Sequence, residues 1–461
     1  MKLQQDTIAA ISTAVHSSGI AIIRISGKES VILADKIFRP RKKNLKLADV
    51  PSHTIHYGWI ADGDQIVDEV LVSVMRSPGT YTAEDVVEIN CHGGAVVVKK
   101  VLDLVLKNGA RAANPGEFTK RAFLNGRIDL SRAEAVMNVI QAENEYALQN
   151  SVHQLAGSLG KSVGSLRKDI LHEIARIESA LDDPEHYSLD GYTDTLSKKL
   201  QGWKDTLKTM IDTYDNGRMI REGIKTAIIG KPNVGKSSLM NALAKEELAI
   251  VTDVAGTTRD LIGHSISLGS ISLRIVDTAG IRDTSDVVEK IGVQRAIESA
   301  KSADLILYVL DSTEEWDQEN EKIISLFGDK KVLVILNKTD LEQVLDLKEA
   351  RKMTGTFPVL PVSALKGDGL KELEETIEKM FFSGNLSFDN QIVITSARQK
   401  QCLTDSLAAL TLVEEGMALK MPEDLLTIDL ENSVAALGEI TGETLKEDLV
   451  NEIFDQFCMG K

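Results

Sequence analysis

The stretch Gly230-Lys231-Pro232-Asn233-Val234-Gly235-Lys236-Ser237 decides the fold of the middle of this chain. It fits the pattern G-x-x-x-x-G-K-S/T, in which glycines let successive backbone N–H groups turn inward around a β-phosphate. Lys236 would reach the β- and γ-phosphates, and Ser237 would bind Mg²⁺. Ile224 to Ile229 indicates a buried strand before this loop, and Ser237 to Glu246 indicates a helix after it. This context predicts a phosphate-binding loop rather than an ordinary glycine-containing turn.

Two segments after apolar strands indicate that the nucleotide carries guanine. Asn337-Lys338-Thr339-Asp340 follows the predicted strand Val332 to Leu336. Asp340 can accept two hydrogen bonds from the guanine N1–H and 2-amino group, which adenine does not offer in that arrangement. Asn337 would bridge the base and the phosphate loop, and the Lys338 stem would pack on the ring face. Backbone amides of Ser363-Ala364-Leu365 would meet the guanine O6. The order and spacing of these segments predict GTP rather than ATP.

The groups that surround the γ-phosphate are predicted from two more segments. Asp277-Thr278-Ala279-Gly280 follows the strand Leu273 to Val276, so Asp277 can hold Mg²⁺ through water and the Gly280 N–H can reach the γ-phosphate. The segment Thr252 to Asp260 has the position of a switch loop, in which Thr258 would bind Mg²⁺ in the GTP state. Position 281 is isoleucine, so the glutamine that orients water in Ras-type enzymes has no counterpart there.

The predicted nucleotide site can be stated as three sets of residues. Mg²⁺ would be held by Ser237, Thr258 and Asp277. The negative charge on the reacting phosphate would be stabilised by Lys236, Thr258 and Gly280. The residues predicted to contact GTP are Asn233, Val234, Gly235, Lys236, Ser237, Ser238, Thr252, Thr257, Thr258, Asp277, Thr278, Ala279, Gly280, Asn337, Lys338, Asp340, Ser363, Ala364 and Leu365.

Length and composition limit the class of protein. The chain has 461 residues, which suggests about three domains, and its 53 Lys and Arg against 69 Asp and Glu give a net charge of −16. A nucleic-acid partner would therefore meet a local patch rather than a generally basic surface. Three cysteines without a C-x-x-C pair, no long apolar run and no signal peptide at the first residues predict a cytoplasmic protein without a membrane span.

The predicted fold is multidomain, α/β plus α. Residues 1–120 mix short apolar runs with turns and predict an α+β domain. Residues 121–216 and 382–461 are predicted to be two parts of one discontinuous helical domain. Between them, residues 217–381 are predicted to form an inserted Ras-like G domain with a mainly parallel sheet. Ser131 and Glu134 have the spacing of a helix-capping box, and interruptions are expected near Gly157, Gly160 and Gly164.

Further motifs lie along the whole length of the chain. Besides the GTPase segments, they are Ala21 to Gly27, Glu88 with Cys91-His92-Gly93-Gly94, Pro115 to Thr119, Arg121 to Arg127 and the terminal Cys458 to Lys461. In this combination the chain resembles the MnmE family of tRNA-modifying GTPases. The resemblance implies an N-terminal tetrahydrofolate-binding and dimerisation domain, a split helical domain and an inserted G domain. It implies a homodimer that works with the FAD-dependent partner MnmG on the wobble uridine of certain tRNAs.

The resemblance also supplies roles for particular residues. It implies a K⁺ ion held by Asn233, Thr252, Val254 and Thr257, and a water-orienting role for Glu289. A cation beside the phosphates would stabilise charge that develops in a loose transition state.

For the one-carbon donor, 5,10-methylene- or 5-formyl-tetrahydrofolate, the resemblance implies contacts from Arg24, Glu88, Arg127 and Lys461. A carboxylate can accept from the 2-amino-pyrimidine edge of a pterin, and basic side chains can pair with glutamyl carboxylates.

Two residues and one alternative function stay open from the sequence. The thiol of Cys458 could take part in chemistry, or Cys458 could only pack beside the folate. An isolated cysteine is more often structural, which favours packing. His92 is expected to lie in a turn before Gly93-Gly94 rather than to bind a metal. A ribosome-assembly switch of the Era or Der type would explain the G domain equally well, but it leaves residues 1–120 and the terminal segment without a purpose.

Overall fold

A computed structural model describes residues 6–14, 17–187, 189, 191–247, 265–276, 300–382, 392–445, 447–457 and 460. The chain divides into two compact units. The first unit consists of Met1–Met137, Gln154–Leu200 and Asp405–Lys461, and the second of Asn138–His153 and Gln201–Thr404. The four domain ranges predicted from the sequence stay a prediction.

The described elements follow one another in a mixed order. The strands are β1 Ile8–Ile11, β2 Ser18–Ser26, β3 Phe38–Pro40, β4 Thr54–Asp62, β5 Gln65–Met75, β6 Val86–Gly93, β7 Arg111–Ala112, β8 Ile224–Ile229, β9 Ser265–Leu268, β10 Ile271–Ile275, β11 Leu305–Asp311, β12 Lys331–Asn337 and β13 Val359–Pro361. The helices are α1 Ser30–Ile37, α2 Ala95–Lys107, α3 Glu117–Leu124, α4 Leu130–Ile140, α5 Glu145–Leu155, α6 Ser158–Asp182, α7 Tyr192–Asp212, α8 Tyr214–Glu222, α9 Lys236–Glu247, α10 Gln318–Ser325, α11 Leu347–Thr354, α12 Leu370–Phe382, α13 Ala397–Ala418, α14 Glu423–Thr441 and α15 Glu447–Asp455.

The first unit contains a seven-stranded sheet among its described residues, in the order β3-β4-β5-β6-β2-β1-β7. Its pairings are antiparallel except for the parallel pair of β1 and β7. Side chains alternate between the two faces of each strand, and one face packs against α1 and α2 in a core that includes Ile23, Val72 and Ile89. The opposite face of β2 and β6 carries Arg24 and Glu88.

The helices of the first unit correct two details of the sequence prediction. α4 begins at Leu130, and Asp129 rather than Ser131 accepts the hydrogen bond of a helix start, from the Arg132 N at 2.9 Å. Asp129 stands directly before the first helical residue, whereas Ser131 is the second residue of the helix and its hydroxyl donates to the Asp129 carboxylate. α6 starts after Gly157 but continues through Gly160 and Gly164, because the packing of a 25-residue helix outweighs the low helix propensity of two glycines.

The second unit contains a six-stranded sheet among its described residues, in the order β13-β12-β11-β8-β10-β9. Five strands are parallel, and β9 pairs antiparallel with β10 at the edge. Apolar side chains of β8, β11 and β12 are buried on both faces, as expected of a parallel sheet that helices cover on each side. The predicted mixture of α/β and helical parts is confirmed. No helix in the described part of the chain is long and apolar enough to cross a membrane.

Candidate functional site

The phosphate loop follows the carboxyl end of β8 and leads into α9, so its backbone lies at the end of a parallel strand where ligands bind in such sheets. Gly235 has a φ of +96°, and a Cβ there would lie 2.2 Å from the Asn337 Nδ2. A side chain at this position is therefore excluded both by the backbone conformation and by space. The Lys236 Nζ bonds to the Gly230 and Lys231 carbonyl oxygens at 2.8 and 2.6 Å, which holds its stem across the loop.

The Asn337 side chain joins the phosphate loop to the predicted base loop. It is 1% exposed. Its Nδ2 donates to the Val234 O at 2.9 Å, and its Oδ1 accepts from the Ala364 N at 3.1 Å. The Asn337 side chain therefore holds the phosphate loop and the predicted base loop at a fixed distance from each other.

Asp340 and Ser363 lie at the other side of the base position. The Ser363 Oγ donates to the Asp340 Oδ1 at 2.7 Å, and this bond lowers the pKa of Asp340. Asp340 is therefore ionised at neutral pH and has acceptor capacity for a base edge. Leu365 is 84% exposed, whereas Ser363 and Ala364 are buried. The Ser363 N donates to the Asp368 O at 3.0 Å and the Ala364 N to the Asn337 Oδ1, so these two of the three predicted amides are engaged within the protein.

Several predicted residues lie outside the described residues. They are Thr252, Val254, Thr257, Thr258, Asp277, Thr278, Ala279, Gly280, Glu289, Cys458 and Lys461. Of the predicted Mg²⁺ ligands, Ser237 lies at the start of α9, and of the predicted K⁺ ligands, Asn233 lies in the loop with a left-handed φ of +61°. Ser238 follows on α9 and is exposed. The missing Cβ at Gly235 lets the loop backbone approach the Asn337 amide closely.

Two acidic residues that the sequence interpretation overlooked reach this site. Asp311, the last residue of β11, pairs with the Lys338 Nζ at 2.5 Å, and Asp317 pairs with the Lys231 Nζ at 2.5 Å. Asp311 carries the same sequence signal that singled out Asp277, a carboxylate directly after an apolar strand. Asp317 had no such signal, because its partner is 86 residues away.

A second cluster, in the first unit, brings together three of the four predicted folate residues. Arg24 on β2 donates from its Nε to the Glu88 Oε1 at 2.8 Å. The Tyr81 ring lies between two guanidinium groups, with the Arg24 Cζ 5.4 Å and the Arg127 Cζ 5.0 Å from its centroid. Phe118 packs on Arg24 as well, at 5.7 Å. The cluster offers an acceptor, two cations and an aromatic face, which is the chemistry that a pterin and its glutamyl tail need.

The Tyr81 ring is held in place by α3. Its hydroxyl is 2.9 Å from the buried Thr119 Oγ1, and the Asn125 Nδ2 donates to the neighbouring Thr82 O at 2.7 Å. Sequence reasoning missed Tyr81, because a tyrosine in a polar turn has no local feature that distinguishes it from a surface residue.

Gly460, the last residue that the structure describes, lies against the end of the first strand. The Ser12 Oγ donates to the Gly460 O at 3.0 Å, and Gly460 has a φ of +83°. A Cβ at Gly460 would lie 2.1 Å from the Ile11 O. Phe457 packs near Gly116, where a Cβ would be 2.7 Å from the phenylalanine Cβ. These contacts bring the end of the chain to the first unit's sheet.

The segment around Cys91 and His92 differs from the expectation in one respect. His92 lies within β6 rather than in a turn, because the strand continues through Gly93. Its Nδ1 is 2.7 Å from the Asp68 Oδ1. Cys91 is buried, and burial raises the pKa of its thiol to about 11. No group of three metal-ligating side chains occurs among the described residues.

Together, the parallel sheet, the phosphate loop and the paired base loops define a P-loop guanine-nucleotide-binding protein. Residues 130–458 match the family described as the MnmE helical domain, and residues 7–127 match the GTP-binding protein TrmE N-terminus. The chain belongs to the MnmE family, which confirms the resemblance seen in its motifs.

Relatives match over the full length. The tRNA modification GTPase MnmE of Lachnoclostridium phytofermentans is 50% identical over 459 residues, with 100% of both chains covered. That of Listeria welshimeri is 45% identical over 460 residues, with 100% of both covered. That of Geobacillus thermodenitrificans is 48% identical over 460 residues, with 99% of both covered.

A solved structure of an Aquifex aeolicus Era variant bound to GDP and AlF₄⁻ is similar to only part of the chain. It is 32% identical, covers 41% of this chain and 67% of its own, and has a TM-score of 0.27. The ribosome-assembly alternative is not supported, because the family match and the relatives extend over residues 7–127 and the helical parts as well.

Proposed function

We propose that this chain hydrolyses GTP to drive the addition of an aminomethyl or carboxymethylaminomethyl group to C5 of the wobble uridine of certain tRNAs. The observation that carries the nucleotide part is the Asn337 side chain, which bonds to both Val234 and Ala364 and so assembles one guanine-nucleotide site. Family membership supports the tRNA part, because the full-length relatives are named tRNA modification GTPases.

Hydrolysis in this site is an in-line attack of water on the γ-phosphate. Lys236 exchanges its bonds to the Gly230 and Lys231 carbonyls for phosphate oxygens and neutralises their charge. The Gly280 N–H would donate to the γ-phosphate, and Thr258 would lie beside it as a ligand of Mg²⁺. Glu289 would orient the water. Position 281 is isoleucine, so that orientation must come from a residue elsewhere.

Two cations would complete the site. Mg²⁺ would be held by Ser237, Thr258 and Asp277, and K⁺ by Asn233, Thr252, Val254 and Thr257. When bound, each supplies positive charge to phosphate oxygens as the leaving bond lengthens. Asn233 supports the K⁺ proposal, because it lies in the phosphate loop, is exposed and carries an amide oxygen that can accept a cation.

The GTPase proposal is tested by measuring hydrolysis in KCl and in NaCl at equal ionic strength. We expect faster hydrolysis in KCl, and we expect Asn233→Ala to reduce that difference without abolishing GTP binding. Lys236→Ala should abolish hydrolysis in both salts. Equal rates in the two salts would remove the K⁺ role and leave the GTPase proposal intact.

The one-carbon donor would bind at the Arg24, Tyr81 and Arg127 cluster. Glu88 would accept from the pterin edge, and Arg127 with Lys461 would pair with glutamyl carboxylates. Arg24 is fixed between two rings and a carboxylate, so its guanidinium needs little ordering when a ligand arrives. Cys458 would lie near this ligand, either to react or to pack.

Calorimetry with 5-formyl-tetrahydrofolate tests this site. The full chain should bind the folate, and both Arg24→Ala and a chain that ends at Phe457 should bind it more weakly. Arg41→Ala is the matched control, because Arg41 also packs over a tyrosine of the same sheet, Tyr57, but outside the cluster. Absence of folate binding by an intact, GTP-binding chain would overturn the one-carbon proposal.

The partners proposed are a second copy of the chain, the FAD-dependent MnmG and tRNA, in the cytoplasm. The sheet face opposite α1 and α2 supports a dimer, because it exposes Ile55 (66%) and Leu71 (46%) beside the Arg24 cluster. A second copy would bury these side chains. Analytical ultracentrifugation of Leu71→Asp should show a shift toward monomer, whereas Leu148→Asp, an exposed leucine in the second unit, should not.

A further inference from the structure

The connection between β11 and α10 touches the nucleotide site at both of its ends. Asp311 closes β11 and pairs with Lys338, which belongs to the predicted base loop. Asp317 starts α10 and pairs with Lys231, which belongs to the phosphate loop. Neither aspartate is among the residues that the sequence motifs assign to GTP, so their pairs with site lysines need an explanation.

The Asp311 carboxylate is buried and fully engaged. Its side chain is 2% exposed. The Oδ1 accepts from the Thr313 N at 2.9 Å and the Thr313 Oγ1 at 2.7 Å, which leaves the Oδ2 for the Lys338 Nζ. Burial would raise the pKa of Asp311, but the bonds from Lys338 and Thr313 outweigh burial and lower it. The Asp311 carboxylate is therefore a charged acceptor, held in place by Thr313, for the Lys338 ammonium group.

Lys338 is fixed at both ends of its side chain. Its backbone has a left-handed φ of +62°, and its carbonyl accepts from the Ser312 Oγ at 3.0 Å. Its Nζ is held by Asp311. A free lysine samples many rotamers, whereas the side chain of Lys338 is held at its backbone and at its Nζ. The stem lies next to Asn337 and two residues before Asp340, where the ring face of a bound guanine is expected.

We propose that Asp311 is a positioning residue for the guanine base. It holds the Lys338 stem as a preformed apolar platform, so the base does not have to order that side chain on binding. The inference rests on the proposed guanine site and deepens it. It assigns to the β11–α10 connection a part in base binding that is separate from the phosphate contacts.

The test compares GTP with ribose 5′-triphosphate, which carries the phosphates and sugar but no base. In Asp311→Asn, the shape and the Thr313 acceptor are kept while the charge is lost. We expect roughly a tenfold loss in GTP affinity, measured by competition with a fluorescent guanine nucleotide, since a charge-assisted bond is of that size. The affinity for ribose 5′-triphosphate should be unchanged, because this ligand has no base to contact the Lys338 stem.

Asp317→Asn is the matched control, because it makes the same substitution at the other end of the same connection. It should change the affinities for GTP and for ribose 5′-triphosphate by the same factor. Lys338→Met keeps a stem without an ammonium and should lose base-dependent affinity as Asp311→Asn does. Combining the two substitutions should then add no further loss, as a double-mutant cycle of one ion pair requires.

Three results would overturn the inference. They are an equal loss for both ligands in Asp311→Asn, no loss for GTP, or additive losses in the double variant. Lys338→Met keeps the test available if Asp311→Asn does not fold. A wild-type chain that binds no GTP would instead contradict the guanine site itself, so the two failures are distinguishable.

Discussion

Tyr81 shows how much of the first unit's cluster depends on a single ring. Two guanidinium groups lie over it, and each such contact contributes about 0.5 to 2 kcal/mol. We predict that Tyr81→Leu weakens 5-formyl-tetrahydrofolate binding roughly tenfold, because both arginines lose their support. Tyr81→Phe keeps the ring and loses only the bond to Thr119, so calorimetry should show nearly unchanged affinity. Equal affinity in Tyr81→Leu and wild type would contradict the role given to the ring.

Glu117 provides a prediction for the pH dependence of stability. Burial would raise its pKa, but bonds from Arg111, the Asn114 N and Arg121 outweigh burial and lower it. A carboxyl whose pKa is lower in the folded state stabilises the fold above its unfolded pKa of about 4.3. That stabilisation is lost as the pH falls through the folded pKa.

Urea unfolding of the full chain at pH 7 and at stepwise lower pH measures this effect. Glu117→Gln should lower the free energy of unfolding at pH 7 by roughly 2 kcal/mol and should make the loss below pH 4.3 shallower. Asp64→Asn removes a charge of the same sign from an exposed hairpin and should follow the wild type. If the free energy of unfolding of Glu117→Gln falls with pH as steeply as that of the wild type, the bonds from Arg111, Asn114 and Arg121 do not stabilise the fold through this carboxylate.

At the scale of elements, the connection between α4 and α5 packs against the sheet of the second unit. The Asn144 Nδ2 donates to the Ile220 O and to the Ser272 Oγ, both at 3.0 Å. Its Oδ1 accepts from the Ala147 N at 2.8 Å, as a helix cap does for α5. The neighbouring Glu143 accepts from the Ser265 Oγ on β9 at 2.6 Å. A segment of helical sequence is therefore tied to β9 and β10.

Asn144→Ala should destabilise this connection by about 1 to 2 kcal/mol, because the cap and two further bonds are lost. Thermal unfolding followed by circular dichroism would show a lower midpoint, and GTP should raise that midpoint less than in the wild type. Gln141→Ala changes an exposed polar residue of the same connection and should leave the midpoint unchanged. A normal midpoint in Asn144→Ala would mean that these bonds are not needed.

At the scale of the whole molecule, Gly460 contacts Ile11 and Ser12 and so joins the two ends of the chain within the first unit. We predict that Gly460→Ala displaces the end of the chain, because the new Cβ would collide with the Ile11 O and the φ of +83° disfavours alanine. Folate affinity and tRNA modification should fall, while GTP hydrolysis without partners stays at the wild-type rate. Lys107→Ala, on the exposed end of α2, is the control. Retained modification in Gly460→Ala would show that the docked terminus is dispensable.

The local parts of the fold were predictable from sequence, with errors at the ends of elements. β8 has the predicted bounds, Ile224–Ile229, because a short, largely apolar run directly before the phosphate-loop motif indicates a buried strand. The predicted start of α4 was wrong by two residues, since aspartate and serine are both favourable N-cap residues and the sequence does not say which of Asp129 and Ser131 caps the helix. Gly160 does not interrupt α6, and a Cβ there would lie 2.7 Å from the Asp129 Oδ2.

The sequence by itself determined the nucleotide class and the family, because phosphate and guanine recognition use short segments whose chemistry depends on local spacing. Only the tertiary structure decided which distant groups support those segments: Asp311 under Lys338, Asp317 on Lys231, Tyr81 between Arg24 and Arg127, and Ser12 on Gly460. These pairs join residues from 27 to 448 positions apart. Packing, rather than local spacing, brings such residues together.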